Sequence, residues 1–334
     1  MELTDRESSI LKLLTEVFIE TAHPVGSKTI AERLGSTISS ATIRNIFVNL
    51  EAKGAIEKPH TSAGRVPTND GFRYYVSNLM DPQKLKESEI AEIDSSSSTF
   101  YTNTNELLDG VARTLAKLSK QLGIVVAPHG EDLKLFRVEY IPASPMEVFL
   151  IVSTTSGMVK SVPLRFSYNI DFRKLNIVVD LVNERLSGKT FGEIRVNIEK
   201  RFEDIVSLKE AFLLRLINSV DTIFHFDQEE CLHYYGTSQL LEKPEFRETS
   251  NLGGLISLLE NRQNLTRLLA VSHGQPLSIR IGGSMNDLSI VTCEFPIATN
   301  CGIVGLLGPI RMDYARAISI LIYARDALSK SFGR

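Results

Sequence analysis

The sequence predicts an α+β protein of more than one domain, on three observations. Helical periodicity occurs three times before Gly54 and is followed by a short strand hairpin. Beyond it, segments that alternate like strands are interspersed with helical segments. The chain has 334 residues, 43% of them hydrophobic, which is enough material for two or three separate cores.

The first helix has a clear start and stop. Thr4 followed by Glu7 forms a capping box, in which each residue satisfies a free backbone N–H of the first turn. Apolar residues then recur at helical spacing, so the pattern predicts a helix from Asp5 to Thr21, and Pro24 prevents its continuation.

Two further helices follow closely. The second is predicted to begin at Ser27 and to end at Gly35, and it is about two turns long. The third is predicted to start after Ser39 or Ser40 and to end at Gly54. Its buried stripe consists of Ile43, Ile46, Phe47 and Leu50.

The opposite face of the third helix is predicted to point outward. At 100° per residue, that face carries Ala41, Arg44, Asn45 and Val48. Small and hydrogen-bonding side chains there allow the backbone to approach another surface while Arg44 and Asn45 reach toward it.

A hairpin follows the third helix. "AIEKPH" and "RVPT" can pair as two short strands around "TSAG", in which Gly64 is expected to supply the freedom that a tight turn needs. Proline is tolerated at the edge of such a hairpin. Arg65 and His60 are then expected to project beside the third helix, toward phosphates or a minor groove.

Three helices and a hairpin in this order predict a winged helix-turn-helix DNA-binding domain over residues 1–78. The charge distribution agrees. The whole chain has a net charge of −3, and residues 1–23 alone also sum to −3, whereas residues 24–75 contain seven basic and four acidic residues, a net of +3. Basic character is therefore confined to the predicted reading surface.

The rest of the chain predicts a linker and an interrupted sheet. Residues 79–104 are rich in Ser, Thr and Asn and are interpreted as a linker with one short helix near 84–93. A helix is predicted over 106–122, followed by four strands up to residue 165. Helices are then predicted near 171–187, 204–226 and 252–270, before three more strands and a last helix from Tyr314 to Lys330. A sheet interrupted by a mainly helical block implies an inserted domain.

Long stretches resemble a known family. "HPVGSKTIAERL" and "SSATIRNIFVNLEAKGAIEKPHTSAGRVPTNDGFRYYV" are similar to the heat-inducible transcription repressor family HrcA, as are "PASPMEVFLIVSTTSGMV", "LLEKPEF" and "VGLLGPIRMDYARAISIL". The resemblance spans nearly the whole chain. One departure is the stretch from Ile281 to Asn286, where the family usually has Ile-Gly-x-Glu-Asn.

The resemblance implies a GAF-like domain split by an inserted dimerising domain. The expected boundaries are 105–165 for the first part of the GAF-like domain, 166–245 for the insert and 246–334 for the second part. The resemblance also implies a repressor of heat-shock (chaperone) genes that binds an inverted-repeat operator. A chaperonin is expected to promote its activity, and heat to release it from DNA.

A homodimer also has a physical motive, because one helix touches too few base pairs to select one site in a genome. The segment "SLKEAFLLRLINSVDTIF" has an apolar face wide enough for both a core and an interface. In the leading hypothesis, one group of residues approaches the major groove, namely Ser40, Thr42, Arg44 and Asn45. A second group positions the DNA backbone or the wing, namely Ser27, Lys28, His60, Thr61, Ser62 and Arg65.

Other classes of protein have less support. The three cysteines fit neither a disulfide framework nor a zinc site, and no stretch resembles a signal peptide or a membrane span, so we expect a cytoplasmic protein. No cofactor, no metal site and no catalytic residues are predicted. Two alternatives stay open: a ligand-sensing regulator whose GAF-like domain binds a small effector, and an enzyme with an accessory DNA-binding module.

Overall fold

A computed structural model of the chain describes ten ranges of residues, namely 1–59, 64–97, 104–127, 133–206, 211–224, 232–246, 249–269, 277–283, 288–297 and 300–332. These residues form a mixed arrangement of helices and three antiparallel sheets. The predicted α+β class is therefore confirmed.

Three helices form the N-terminal core. They are α1 (Asp5–Thr21), α2 (Ser27–Arg33) and α3 (Ser40–Ala52), so the predicted limits of α1 agree with the structure. The capping box of Thr4 and Glu7 is present. Ser39 caps α3, whereas α2 is preceded by Gly26 rather than capped by Ser27. The buried stripe of α3 packs on apolar residues of α1, including Ile10, Leu11 and Leu14.

A small hairpin follows α3. Strands β1 (Ile56–Glu57) and β2 (Val66–Pro67) pair antiparallel, with Ile56 opposite Pro67. Residues 60–63 of the turn lie outside the described ranges, so the expected role of Gly64 in a tight turn stays a prediction. A Cβ at Gly64 would lie 2.5 Å from the carbonyl carbon of Val25, so glycine is also needed there for close packing.

The region after the hairpin contains regular helices, including one in the segment that was interpreted as a linker. Helix α4 (Asn69–Tyr74) continues as a π-helical turn to Leu79, an element that the sequence analysis missed. Helix α5 (Glu87–Ser96) lies within the predicted linker 79–104. Its residues Glu89 and Ile93 are buried, and Glu89 forms an ion pair with Arg316. This part of the linker is therefore fixed to the body of the protein.

A five-stranded sheet forms the largest layer. It contains β3 (Leu122–Val126), β7 (Leu232–Tyr235), β8 (Leu277–Ile281), β9 (Leu288–Ile297) and β10 (Asn300–Pro309), in the order β7-β3-β10-β9-β8. Both faces are covered. One packs on α6 (Thr104–Ser119) and α15 (Tyr314–Phe332), and the other on α12 (Thr237–Leu241), α13 (Thr249–Glu260) and α14 (Arg262–Leu269).

A separate three-stranded sheet lies between β3 and β7 in the chain. It consists of β4 (Leu135–Ser144), β5 (Glu147–Thr154) and β6 (Val159–Arg165), with β5 in the centre. The next helices are α7 (Phe172–Leu186), α8 (Phe191–Arg201), α9 (Glu203–Val206), α10 (Ala211–Asn218) and α11 (Val220–Ile223). Asn183 of α7 joins helix to sheet, since its side chain bonds both the N–H and the C=O of Val138.

The strand pairing bears on the predicted inserted domain. Among the described strands in 105–165, only β3 belongs to the five-stranded sheet, and β4–β6 associate with the helices that follow them. Helix α8 was not predicted, although the capping box of Thr190 and Glu193 marks its start.

In α10, Leu213 and Leu216 are fully buried, so this helix uses its apolar face within its own chain.

Candidate nucleic-acid interface

The start of α3 is fixed by local hydrogen bonds. The backbone N–H of Thr42 donates to Oγ of Ser39 over 3.1 Å, and the hydroxyls of Ser39 and Thr42 lie 2.9 Å apart. Thr42 is exposed and Ser40 is half-buried. This cap fixes the first turn of α3, in which Thr42 is exposed at the molecular surface.

The outward face of α3 carries the side chains that the sequence placed there. Arg44 and Asn45 are exposed. Nε of Arg44 donates to Oγ of Ser27 over 3.4 Å, which links the middle of α3 to the first residue of α2. Ser27 is 8% exposed, whereas Lys28 beside it is exposed. Ser27 therefore positions Arg44, and Lys28 stands free at the edge of the same surface.

The hairpin is tied to both neighbouring helices. Val25 and Arg65 exchange two backbone hydrogen bonds, of 2.8 and 2.9 Å. The guanidinium of Arg65 donates to Oε2 of Glu51 on α3 through Nε over 3.1 Å and Nη2 over 2.8 Å. Its side chain is only 13% exposed. The expectation that Arg65 projects outward is therefore not met in this structure, because the carboxylate of Glu51 holds it against α3.

Three predicted residues of the wing, His60, Thr61 and Ser62, lie outside the described residues. Their proposed contacts with DNA stay predictions.

Ion pairs neutralise some of the basic side chains in this module and leave others unpaired. Four of the seven basic residues between 24 and 75 are paired, namely Arg33 with Glu20, Lys53 with Glu7, Arg65 with Glu51 and Arg73 with Asp70. Within the described ranges, the other three, Lys28, Arg44 and Lys58, are exposed and form no ion pair. The unpaired basic side chains between residues 24 and 75 therefore lie on α2, α3 and the first arm of the hairpin.

The N-terminal module packs on the sheet layer through contacts that the sequence did not reveal. Nη2 of Arg73 donates to the carbonyl of Ile281 over 2.7 Å, and the rings of Phe72 and Tyr314 are 6.2 Å apart. Arg311 pairs with Glu245 and also reaches the carbonyl of Ile19. A cleft of about 600 Å³ lies between the two parts, lined by Arg73, Glu245 and Arg311 among others.

This interface includes the start of the stretch that departs from the family pattern. Gly282 has a φ of +60°, and a Cβ there would lie 2.5 Å from Nδ2 of Asn69 in α4. Glycine thus permits close contact between the β8–β9 connection and the N-terminal module. Residues 284–286 of the same stretch are outside the described ranges.

Two classes of site were searched in the part of the chain that the structure describes. There, no three or more His, Cys, Asp and Glu side chains are grouped so as to hold a metal ion. In the same residues, no helix combines the length and the apolar character needed to cross a membrane.

The chain is similar to known proteins along nearly its whole length. The model of the HrcA protein C-terminal domain matches residues 105–318. The heat-inducible transcription repressor HrcA of Chlorobium chlorochromatii (strain CaD3) is 35% identical to this chain, over 99% of the chain and 97% of that protein. The chain belongs to the HrcA family.

Other HrcA relatives are similar along their whole length. The heat-inducible transcription repressor HrcA of Halalkalibacterium halodurans is 30% identical over 98% of this chain and 97% of its own. A crystal structure of a hypothetical protein at 2.2 Å resolution matches with a TM-score of 0.69 and 26% identity, covering 99% of both chains. The chain thus has the length of its HrcA relatives, and its fold is similar to that of a solved structure.

Proposed function

We propose that the protein is a sequence-specific DNA-binding repressor of heat-shock (chaperone) genes. One observation carries the proposal: the face of α3 that turns away from the N-terminal core is exposed and holds Arg44 and Asn45, next to the uncompensated charge of Lys28. Arg suits the acceptor atoms of guanine in a major groove, and Asn suits adenine. Lysine beside them suits a phosphate.

In this proposal, residues 1–78 act as a winged helix-turn-helix domain. Helix α3 enters the major groove and the β1–β2 hairpin is the wing. Ser40, Thr42, Arg44 and Asn45 face the bases, and Lys28 contacts the backbone. Ser27 and Arg65 act by positioning other groups, because each is mostly buried and bonded to α3. His60, Thr61 and Ser62 keep their predicted role in the wing.

We further propose a homodimer on an inverted-repeat operator, formed through an inserted unit within a GAF-like domain. The strand pairing favours an insert that begins near Leu133 and ends near Phe224, earlier than the predicted range 166–245, because β4–β6 share no sheet with β3. The outer face of β4–β6 carries a row of three exposed apolar residues, Ile141, Phe149 and Pro163, which are paired across the strands. A second copy would cover that face.

The proposed thermal response follows from the dimer. Any equilibrium between a folded dimer and separated or unfolded chains shifts with temperature and with the concentration of each species. Heating therefore removes the two-site form that binds an inverted repeat. A chaperonin that refolds released chains promotes repression in this scheme.

The ligand-sensing alternative has one observation in its favour. The hydroxyl of Thr292, a residue only 1% exposed, and Nη2 of Arg280 are buried without a hydrogen-bond partner among the described residues. Arg280 lies opposite Ile290, which faces α13 and α14. Thr292 follows Ile290 by two positions on the same strand, so the side chains of Arg280 and Thr292 lie on that same face of the sheet. A polar effector there would satisfy both groups, and it would raise the melting temperature on addition.

Removal of the Arg44 side chain tests the proposal. Duplexes selected from a random library by the full-length protein are titrated with wild type and with Arg44→Ala by fluorescence anisotropy. We expect Arg44→Ala to bind the selected duplex more weakly by about 1–3 kcal/mol and to discriminate less at one base position per half-site.

The control is Arg6→Ala, which removes the same charge from an exposed position on α1. It should bind like wild type at equal salt. Selection of no duplex by the wild-type protein, or equal losses in the two variants, would contradict the proposal.

A further inference from the structure

One branched apolar side chain, that of Val48, lies on the outward face of α3. Val48 is 59% exposed, although it lies in a helix whose four apolar neighbours Ile43, Ile46, Phe47 and Leu50 are all turned into the core. A β-branched residue is also a weaker helix former than the alanines near it. Neither the core nor the helix itself therefore accounts for valine at this position.

The position of Val48 on the helix is central. At 100° per residue, Ala41, Asn45, Val48 and Ala52 form one strip along the middle of the exposed face, and Arg44 lies at its flank. The two alanines at the ends of the strip allow the helix to approach another surface closely. Val48 then meets that surface together with Asn45.

The spacing suits adjacent bases. Side chains three positions apart on a helix have their Cβ atoms about 5–6 Å apart. Successive bases along one strand of DNA rise by about 3.4 Å. Asn45 and Val48 therefore reach base pairs that are one or two steps apart.

We propose that Val48 is a specificity-determining residue that packs on the C5-methyl group of a thymine, one or two base pairs from the base that Asn45 contacts. Among the base edges of the major groove, only thymine presents an apolar group. Valine can contact that methyl group but cannot pair with the oxygen and nitrogen atoms that the other bases present. The inference rests on the proposed function, and it adds a base preference that Arg44 and Asn45 do not supply.

The other explanation is that Val48 is an isolated apolar residue on the surface, which is common in soluble proteins. Removal of the thymine methyl group distinguishes the two. Replacement of thymine by uracil deletes that group and leaves the hydrogen-bonding edge of the base unchanged, so any coupling to Val48 reports the methyl contact alone.

The experiment uses the full-length protein and a duplex that it selects from a random library. Each thymine is replaced by uracil, one symmetric pair of positions at a time, and dissociation constants are measured for wild type, Val48→Ala and Val48→Thr. For wild type we expect one position at which uracil weakens binding about fourfold per half-site, the effect of one lost methyl burial. For Val48→Ala the ratio of the uracil to the thymine dissociation constant should fall to about one.

Val48→Thr retains one methyl group and should give an intermediate ratio. The control is Val196→Ala, at a valine of α8 that is 83% exposed and belongs to another part of the molecule. It should reproduce the wild-type ratios. A uracil penalty of the same size in Val48→Ala and wild type, or no uracil penalty at any position, overturns the inference and leaves the proposed function intact. Failure of the wild-type protein to select any duplex would instead contradict the proposed function.

Discussion

At the scale of residues, Arg65 is a basic side chain that the structure holds against α3, so in the proposed function it would act without touching DNA. Its guanidinium is bonded to Glu51 of α3, and its backbone is bonded to Val25. The residue therefore joins the hairpin to α3 and to the segment before α2. An arginine that positions the wing and an arginine that binds a phosphate give opposite responses when the paired carboxylate is neutralised.

We predict that Glu51→Gln and Arg65→Ala each weaken operator binding, because each removes one partner of the same ion pair. The carboxylate of Glu51 is 38% exposed, so the ion pair contributes up to about 1 kcal/mol, and its loss should weaken binding about twofold to fivefold because the hairpin is held less firmly against α3. Anisotropy titrations at two salt concentrations measure the effect.

The matched control is Glu57→Gln, which removes an exposed carboxylate on β1 that has no ion pair among the described residues. Its binding should be unchanged or slightly tighter. Tighter binding by Glu51→Gln would mean that Arg65 binds phosphate directly once it is released, and would exclude the positioning role.

At the scale of elements, the hairpin depends on one close approach. The backbone of Val25, just before α2, occupies the space into which a side chain at Gly64 would extend. The pair of hydrogen bonds between Val25 and Arg65 needs this proximity. The position of the hairpin relative to α2 and α3 thus depends on the lack of a side chain at Gly64.

We predict that Gly64→Ala destabilises the N-terminal module by about 1–3 kcal/mol, the usual cost of overpacking, and weakens operator binding. Thermal unfolding followed by circular dichroism, together with anisotropy, measures both. Gly254→Ala in α13 is the control, since among the described residues no atom outside the helix's own backbone lies within 4 Å of the added Cβ, and alanine favours a helix by about 0.5–1 kcal/mol. A melting temperature for Gly64→Ala equal to that of wild type would show that the hairpin can move aside without cost.

At the scale of the whole molecule, two interfaces would decide how the proposed dimer presents its two copies of α3 to DNA. One joins the N-terminal module to the sheet layer through Phe72, Arg73 and Arg311. The other is the proposed contact between two copies across the outer face of β4–β6. In the proposed dimer, both interfaces would constrain the distance between the two copies of α3.

We predict that Phe149→Asp weakens dimerisation by at least tenfold in sedimentation equilibrium, because a carboxylate buried without a partner opposes association. Phe149 is 40% exposed, so the folded monomer should tolerate the change. Val196→Asp, at an exposed valine of α8, should leave the dimer intact. A dimer of unchanged affinity in Phe149→Asp would place the interface elsewhere.

Much of the N-terminal module could be read from sequence because its signals are local. Caps and apolar spacing gave the limits of α1 and the start of α3, and they identified the exposed face with Arg44 and Asn45. The short helix α4 was not predicted, because the nearby proline and aromatic residues suggested an extended segment rather than a helix. Helix α8 was missed too, although its capping box was present.

The sequence by itself determined the α+β class, the family, and the side of α3 that is polar, because periodicity and capping depend on residues within a few positions of each other. Only the tertiary structure decided that Arg65 is held by Glu51, that β4–β6 leave the main sheet, and that Gly282 contacts Asn69. These features depend on distances between residues that are distant in the chain, and no local pattern of hydrophobicity or charge encodes such distances.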